Sequence, residues 1–492
     1  MSLALRLAVV LLVACEPNAI GPMRMPDGGR VNPYADGSVA PPLDAIEGAP
    51  EGFGVAAGAA LVGIEVYQTI RIPLVTSGRA VTPGAPLFAG KDMLVRVYAT
   101  PAERPGRPMV AVVRVDGPGG SFVAASAERP LDGPSTIADP RSTYDVEIPG
   151  DFVVPGVQLS AALVEYGGPG SLDARFPRLG GEPLVLPLLE GVIDVVLVPI
   201  EHVDAGVTNV PIVDEATVAV LEDELRALWP LTRVNARVRA PMSWTEPLPP
   251  TSPTSWDGLL EAVTALREAE AEADEYFVAL VNPGVTREAY CGLACIAGIA
   301  HVNVDDLASM RVAIGLGFDD PTSRASVVHE LGHAHGRGHA PCGVAAAIDE
   351  AFPREDGLVG DWGWDSRTHA LVEPTAGDFM GYCEPHWIAP FNYLRLHARI
   401  GSGARGLRVL DEVPHHVFSR APFRAPRWVR QTSERMGGDE LALALDGEGH
   451  PLASVAMRRV PASIPGFERL VVPVVPGAAR YRLGDGTELR PL

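Results

Sequence analysis

Residues 325–339 read ASVVHELGHAHGRGH. The last eleven of these positions hold four of the chain's 12 histidines, with a glutamate beside the first. From Ala325 to Gly336 there is no proline, and Val327, Val328 and Leu331 supply an apolar side, so the segment reads as a helix. His329 and His333 are one helical turn apart and stack on one face, their Cβ atoms ~5–6 Å from each other. Two imidazoles at that spacing can grip one metal ion. Glu330, one position along, is rotated off that line and reaches a water on the metal instead. Gly336 breaks the helix, because glycine adopts backbone angles that other residues resist. The chain then turns back and brings His339 up as a third ligand. His335 lies two positions from His333, points to the opposite side, and reads as a surface or packing histidine.

Three protein nitrogens and one open position describe a catalytic zinc site. A structural site would fill all four places, usually with cysteine. Zinc lowers the pKa of a bound water to about 7, and Glu330 is placed to take that proton as general base while zinc polarises a carbonyl. The full pattern, His329-Glu330-x-x-His333-x-x-Gly336-x-x-His339, is far more specific than its HExxH half.

The rest of the 492-residue chain sets the context. Its 47% apolar content can fill several cores, and a formal charge of -21 excludes nucleic acid as a partner. Lys91 is the only lysine. The start, MSLALRLAVVLLVAC, has Arg6, then an apolar run from Leu7 to Val13 too short to span a bilayer, and reads as a signal peptide over 1–14. Leu12-Val13-Ala14-Cys15 resembles a bacterial lipobox. Lipidation of Cys15 would anchor an exported protein to the membrane at the cell envelope, and Glu16 in the next position fits the outer membrane or the cell surface. Four cysteines then remain, Cys291, Cys295, Cys342 and Cys383, which suggests two disulfides with three possible connectivities. No CxxC pair exists, which argues against thiolate ligation. Residues 15–55 are rich in Pro, Gly and Ala and read as a tether. Short alternating runs over 56–190 predict a β-sandwich. Over 191–400 the pattern predicts an α+β catalytic domain. It contains a buried strand at 193–200, a helix capped by Asp214 with Val218, Leu221, Leu225 and Leu228 on one stripe, a second helix from Ser255, and a closing helix with Pro390 in its first turn. Residues 401–492 predict a small β-rich domain with no legible functional content. Trp362 and Trp364 read as packing residues.

The histidine pattern resembles, at every position, the zinc-binding consensus of the metzincin clan of metalloendopeptidases. The resemblance implies a methionine turn downstream, which GDFMGYC supplies, with Met380 as the apolar floor beneath the imidazoles. It also implies a role for Tyr382. In astacin-like and serralysin-like members a tyrosine at this spacing contacts the zinc and then supports the oxyanion, and such a donor is worth ~2.7–4 kcal/mol. Cys342 follows the third histidine, and Cys383 the methionine, by the same short interval, so both are expected near the metal. That favours a Cys342–Cys383 pair, with Cys291 joined to Cys295. The resemblance covers about 200 residues at most, and its specific motifs occupy only 329–339 and 380–382. Ala340, after the third histidine, assigns no subfamily. The lipoprotein start and leading β domain look like secreted bacterial metzincins, among them a group that cleaves mucin-type glycoproteins.

The resulting expectation is an enzyme with one catalytic Zn2+ that cleaves protein or glycoprotein substrates at the cell surface. The competing expectation is a surface binding or adhesion lipoprotein that uses a metalloprotease fold as a scaffold; the intact Glu330 argues against it. A non-peptide zinc hydrolase is the third.

Overall fold

The computed structural model describes residues 46–492 apart from 103–105, 179–180, 273, 344–346, 402–412, 435–437 and 439. The expected signal peptide, Cys15 and most of the expected tether lie outside the described residues. Among the described residues, strands predominate over helices, and no helix is long and apolar enough to cross a membrane.

The leading part holds two antiparallel sheets. Strands Phe53–Val55, Gln158–Tyr166, Arg107–Gly117 and Gly120–Ala125 lie in that order in one; Ala59–Thr76, Met93–Pro101 and Tyr144–Ile148 in the other. Along Arg107–Gly117, Met109, Ala111, Val113 and Val115 point into the core shared with Val66, Val95 and Val97 of the facing sheet. Val110 and Val112, on the opposite face, pack against Phe53 and Val164. This alternation follows from the two-residue side-chain period of a strand.

Strand Ala59–Thr76 outruns its partner. Past Tyr67 it leaves Met93–Pro101 and pairs instead with a hairpin, Gly363–Asp365 with Ala370–Val372, placing Thr69 opposite Trp364. The stretch between the histidine segment and the methionine turn therefore extends the leading sheet. Trp364 packs on Tyr67 and Leu94 with Trp362 beside it, so both tryptophans are packing residues, as expected. At this seam Thr69 Oγ1 donates to Ala227 O (2.6 Å) and accepts from Lys91 Nζ (2.6 Å), which also donates to Trp229 O (2.8 Å). Trp387 Nε1 donates to Thr69 O (3.0 Å). One hydrophobic core consequently runs from Val55 through the middle of the chain to Leu396.

The middle part is built on a mixed sheet ordered Val207–Asn209, Val192–Asp204, Tyr276–Val281, Val312–Leu316, Gly298–Ala300. Val192–Asp204, Tyr276–Val281 and Val312–Leu316 run parallel; Gly298–Ala300 is an antiparallel edge. Parallel neighbours need long crossovers, and helices Glu215–Leu228 and Pro253–Glu270 lie in the first of them. The first helix has its Asp214 cap, accepting from Thr217 N at 2.9 Å, and buries Leu221, Leu225 and Leu228. The second begins at Pro253, two residues before the expected Ser255, because proline suits the first helical turn.

The histidine helix, Pro321–Ala334, begins four residues ahead of Ala325. Asp320 is its N-cap, its Oδ1 accepting from Thr322 N (3.0 Å) and Ser323 N (3.1 Å), and Pro321 follows it. The helix lies against Val312–Leu316. A Cβ on Gly315 would meet Val327 Cγ2 at 2.5 Å, so the two elements touch closely.

The last part is a seven-stranded sheet ordered Arg427–Glu434, Val413–Arg420, Glu468–Pro473, Pro451–Pro461, Glu440–Leu445, Arg480–Leu483, Glu488–Leu489. Phe418, Leu470, Val472 and Tyr481 form its own core.

Replacing Asp320 with alanine removes the acceptor for the first turn of the histidine helix. Chemical denaturation is expected to show a loss of about 1 kcal/mol. An unchanged midpoint would mean that the cap does not hold this helix.

Candidate metal centre

The histidine helix ends where Gly336 adopts φ +79°, its N–H donating to His333 O at 2.8 Å. A Cβ there would lie 2.9 Å from Asn303 O, so angle and space both demand glycine. The chain reverses, and His339 is fixed by its N–H to Ala347 O (2.9 Å) and by Asp349 N–H to its own carbonyl (2.9 Å). The three predicted ligands come together. His333 Nε2 is 3.1 Å from the Nε2 atoms of both His329 and His339, and all three residues are buried.

Backbone carbonyls set the rings. His329 Nδ1 lies 2.8 Å from Phe379 O, and His333 Nδ1 2.7 Å from Arg337 O. A carbonyl oxygen only accepts, so each Nδ1 carries the proton and each Nε2 presents a lone pair. Burial, together with the neighbouring imidazoles, pushes His329 down to about 3 and His333 well below the usual histidine range, so both are neutral. Two such lone pairs facing each other at 3.1 Å repel unless a cation sits between them. A tetrahedral zinc with bonds of ~2.0–2.1 Å separates its ligands by about 3.3 Å. The donor set fits one such ion.

Glu330 is 7% exposed and lies against the edge strand. A Cβ on Gly298 would meet its Cγ at 2.5 Å. Its Oε2 accepts from Ser463 Oγ at 3.0 Å. Burial raises the carboxyl to about 8, against the pull of the Ser463 hydrogen bond. Met380 is wholly buried beneath the helix, and a Cβ on Gly332 would lie 2.5 Å from its Sδ. Gly332 is thus what lets the methionine turn approach between the two helical ligands. Asp378 ties that turn to the closing helix Pro390–Gly401. Its Oδ1 accepts from Met380 N (2.8 Å) and Asn392 Nδ2 (2.8 Å), and its Oδ2 from Ala389 N (2.8 Å).

Tyr382 faces the cleft, its Oη 3.4 Å from His339 Nε2. Although the side chain is largely exposed, the desolvation it does meet, with the charge of Glu330, raises its hydroxyl to about 12, so it remains a donor. The third-ligand loop is clamped to the methionine turn by Ala340 N–H to Met380 O (3.0 Å), Tyr382 N–H to Cys342 O (2.7 Å) and the expected Cys342–Cys383 disulfide. Cys291–Cys295 is the second disulfide, and Cys295 lies on the rim of the cleft. The cleft, about 440 Å³, is lined by Gly298, His329, Glu330 and Tyr382 and, from the last part of the chain, by Ser463, Ile464 and Pro465.

His335 is a packing residue and not a surface one. It is 1% exposed, stacked on Tyr276 at 3.9 Å, with Nδ1 2.8 Å from Leu331 O. Four residues of the site escaped the sequence reading: Gly298, Gly332, Asp378 and Ser463. Asp378 had a local signal, an Asp two residues before the methionine whose side chain caps the turn. Ser463 had none, being 133 positions from Glu330.

Residues 311–383 match the model of the Peptidase M66 family, a stretch running from strand Val312–Leu316 through the three histidines and the methionine turn to Cys383. The match supports a metallopeptidase relationship. M66 is a distinct family, and the metzincin resemblance continues to rest on the motif. No curated protein matches the chain.

In metal-free protein, burial holds His301, His329, His333 and His335 neutral, with His329 and His335 lowered to about 3. The unfolded chain protonates these residues near pH ~6.5, so between that pH and the folded pKa it binds more protons than the fold. The contribution of these histidines to stability therefore falls as pH drops through this window and is constant above it, while the raised carboxyls of Glu330 and Asp378 act in the opposite sense. Replacing His335 with phenylalanine should reduce the slope of stability against pH, between roughly pH 4 and 6, by about 1.4 kcal/mol per pH unit. An unchanged slope in denaturation curves would mean that His335 is charged in the fold.

Proposed function

We propose that the protein is a zinc-dependent endopeptidase of metzincin type that hydrolyses protein or glycoprotein substrates at the cell surface, with Glu330 as general base. One observation carries the reading. Three buried histidine nitrogens converge, with 3.1 Å between His333 Nε2 and each of its neighbours, beside a buried carboxylate on an open cleft. Metallopeptidases take a metal, commonly zinc, and three nitrogens with one free position suit it. Zinc bound here would supply polarisation of the scissile carbonyl and a more acidic water.

The chain's own groups account for the remaining steps. His329, His333 and His339 would hold the ion, their rings fixed by carbonyls and by the clamped loop. Glu330 takes a proton from water in the cleft and returns it to the departing amine; a zinc ion beside it would favour the ionised carboxylate that the first of these transfers requires. The Tyr382 hydroxyl, 3.4 Å from His339 Nε2, donates to the oxyanion. The full motif, with Met380 and Tyr382 at metzincin spacing, supports the clan assignment.

The lipobox ending in Cys15 supports export and a lipid anchor in the bacterial envelope. Two disulfides agree with an oxidising compartment. The adhesion reading is disfavoured by a general base that is intact and faces the cleft.

Replacing Glu330 with alanine is expected to leave zinc bound and to cut peptide hydrolysis by about 10²–10⁴-fold. Zinc content and cleavage of a peptide library read the two effects separately. Undiminished cleavage would remove Glu330 from the mechanism.

A further inference from the structure

The general base is held from outside its own helix. Among the described residues its one hydrogen-bond partner is Ser463, which lies in the turn between strands Pro451–Pro461 and Glu468–Pro473 of the last sheet. The roles of that hydroxyl are fixed by its neighbours. Ala300 N–H, 3.1 Å from Ser463 Oγ, can only donate, so the hydroxyl accepts there. Its single proton is then directed to Glu330 Oε2 at 3.0 Å.

The backbone places this hydroxyl. Ser463 N–H donates to Ala300 O (2.8 Å), Val302 N–H donates to Pro461 O (2.8 Å), and His301 forms an antiparallel bridge with Ala462. Residues 461–463 thus run along the outer side of the edge strand like one more short strand. The sheet behind them is anchored by buried charge. Arg469, fully buried, donates through Nη1 to Asp257 (2.9 Å) and through Nε to Glu261 (2.9 Å), both on helix Pro253–Glu270. Arg430 also pairs with Glu261. Val417, Val460 and Val471 share a small core with Leu307 and Met310.

We infer that Ser463 is a positioning residue for Glu330, and that the C-terminal β part is thereby a constituent of the active site. The inference rests on the metallopeptidase reading above. The terminal torsion of a glutamate is broad, so a carboxylate with no partner samples many orientations. Ser463 holds Oε2, and Oε1 lies beside Gly298, which lines the cleft with Glu330. The next residues, Ile464 and Pro465, line that cleft, so the segment that aims the base also forms part of the wall that a substrate meets.

The test uses the full chain with Ser463→Ala and Ser463→Thr, and Glu330→Ala as the control. The Ser463→Ala protein should bind one equivalent of zinc and melt as the wild type does. Its kcat should fall about 10-fold with KM unchanged, since a misaimed catalytic group costs rate without costing binding. Ser463→Thr, which keeps the hydroxyl, should recover most of the loss. Diffraction from the Ser463→Ala protein should show the Glu330 carboxylate in more than one rotamer, where the wild type has one. A kcat within a factor of about two of wild type would overturn the inference. So would a loss of zinc or of the native melting transition that accounts for the lost activity, or a threonine variant no better than the alanine one. If the wild type itself cleaves no peptide, the metallopeptidase reading fails, and the rotamer state of Glu330 alone decides whether Ser463 positions it.

Discussion

Two imidazole lone pairs held face to face, with a third ring nitrogen beside them, are the constraint around which the rest of this structure is arranged. His333 Nε2 sits 3.1 Å from Nε2 of His329 and of His339, in a buried site that keeps the two helical rings neutral. Such a cluster is unfavourable without a cation and favourable with one. The fold accordingly spends several features on keeping it aimed. The carbonyls of Phe379 and Arg337 orient two rings, Gly336 turns the chain, and Gly332 clears room for Met380. The Cys342–Cys383 disulfide then joins the loop of the third ligand to the turn that carries the methionine.

The two β-rich parts on either side of the middle sheet converge on the same site. The leading sandwich reaches the site through the hairpin Gly363–Val372, which lies between the third histidine and the methionine turn yet pairs with strand Ala59–Thr76. Trp387 and Thr69 then tie the segment after the turn to that strand. The last sheet reaches it through Ser463. A substrate entering the cleft therefore meets the edge strand, the histidine helix and a wall from the C-terminal part together.

What was legible in the sequence was local. The spacing of His329, His333 and His339 on a helix and a glycine turn is a property of adjacent residues, and so is the Asp214 cap. The disulfide pairing followed once the motif fixed where two cysteines sit. The histidine helix starts four residues ahead of its apolar stripe, because its cap Asp320 and first-turn Pro321 carry no apolar character that would mark them. The hairpin at Gly363–Val372 gave no signal, since its strands are three residues each. Ser463 was invisible for a deeper reason. Its role comes from a contact across 133 positions, and a serine in a turn has no periodicity or composition that marks it. The finer assignment to metzincins is likewise a reading of the motif, while the family match over residues 311–383 is to M66.

The central claim is that three imidazoles share one metal ion with a corner left open toward Glu330. Anomalous diffraction at the zinc edge, on crystals of the protein prepared with one equivalent of zinc, measures this directly. The account predicts a single strong peak about 2.0–2.1 Å from the Nε2 atoms of His329, His333 and His339, with no fourth protein ligand. A peak elsewhere, a peak touching fewer than three of these rings, or a fourth side chain closing the open corner would contradict it.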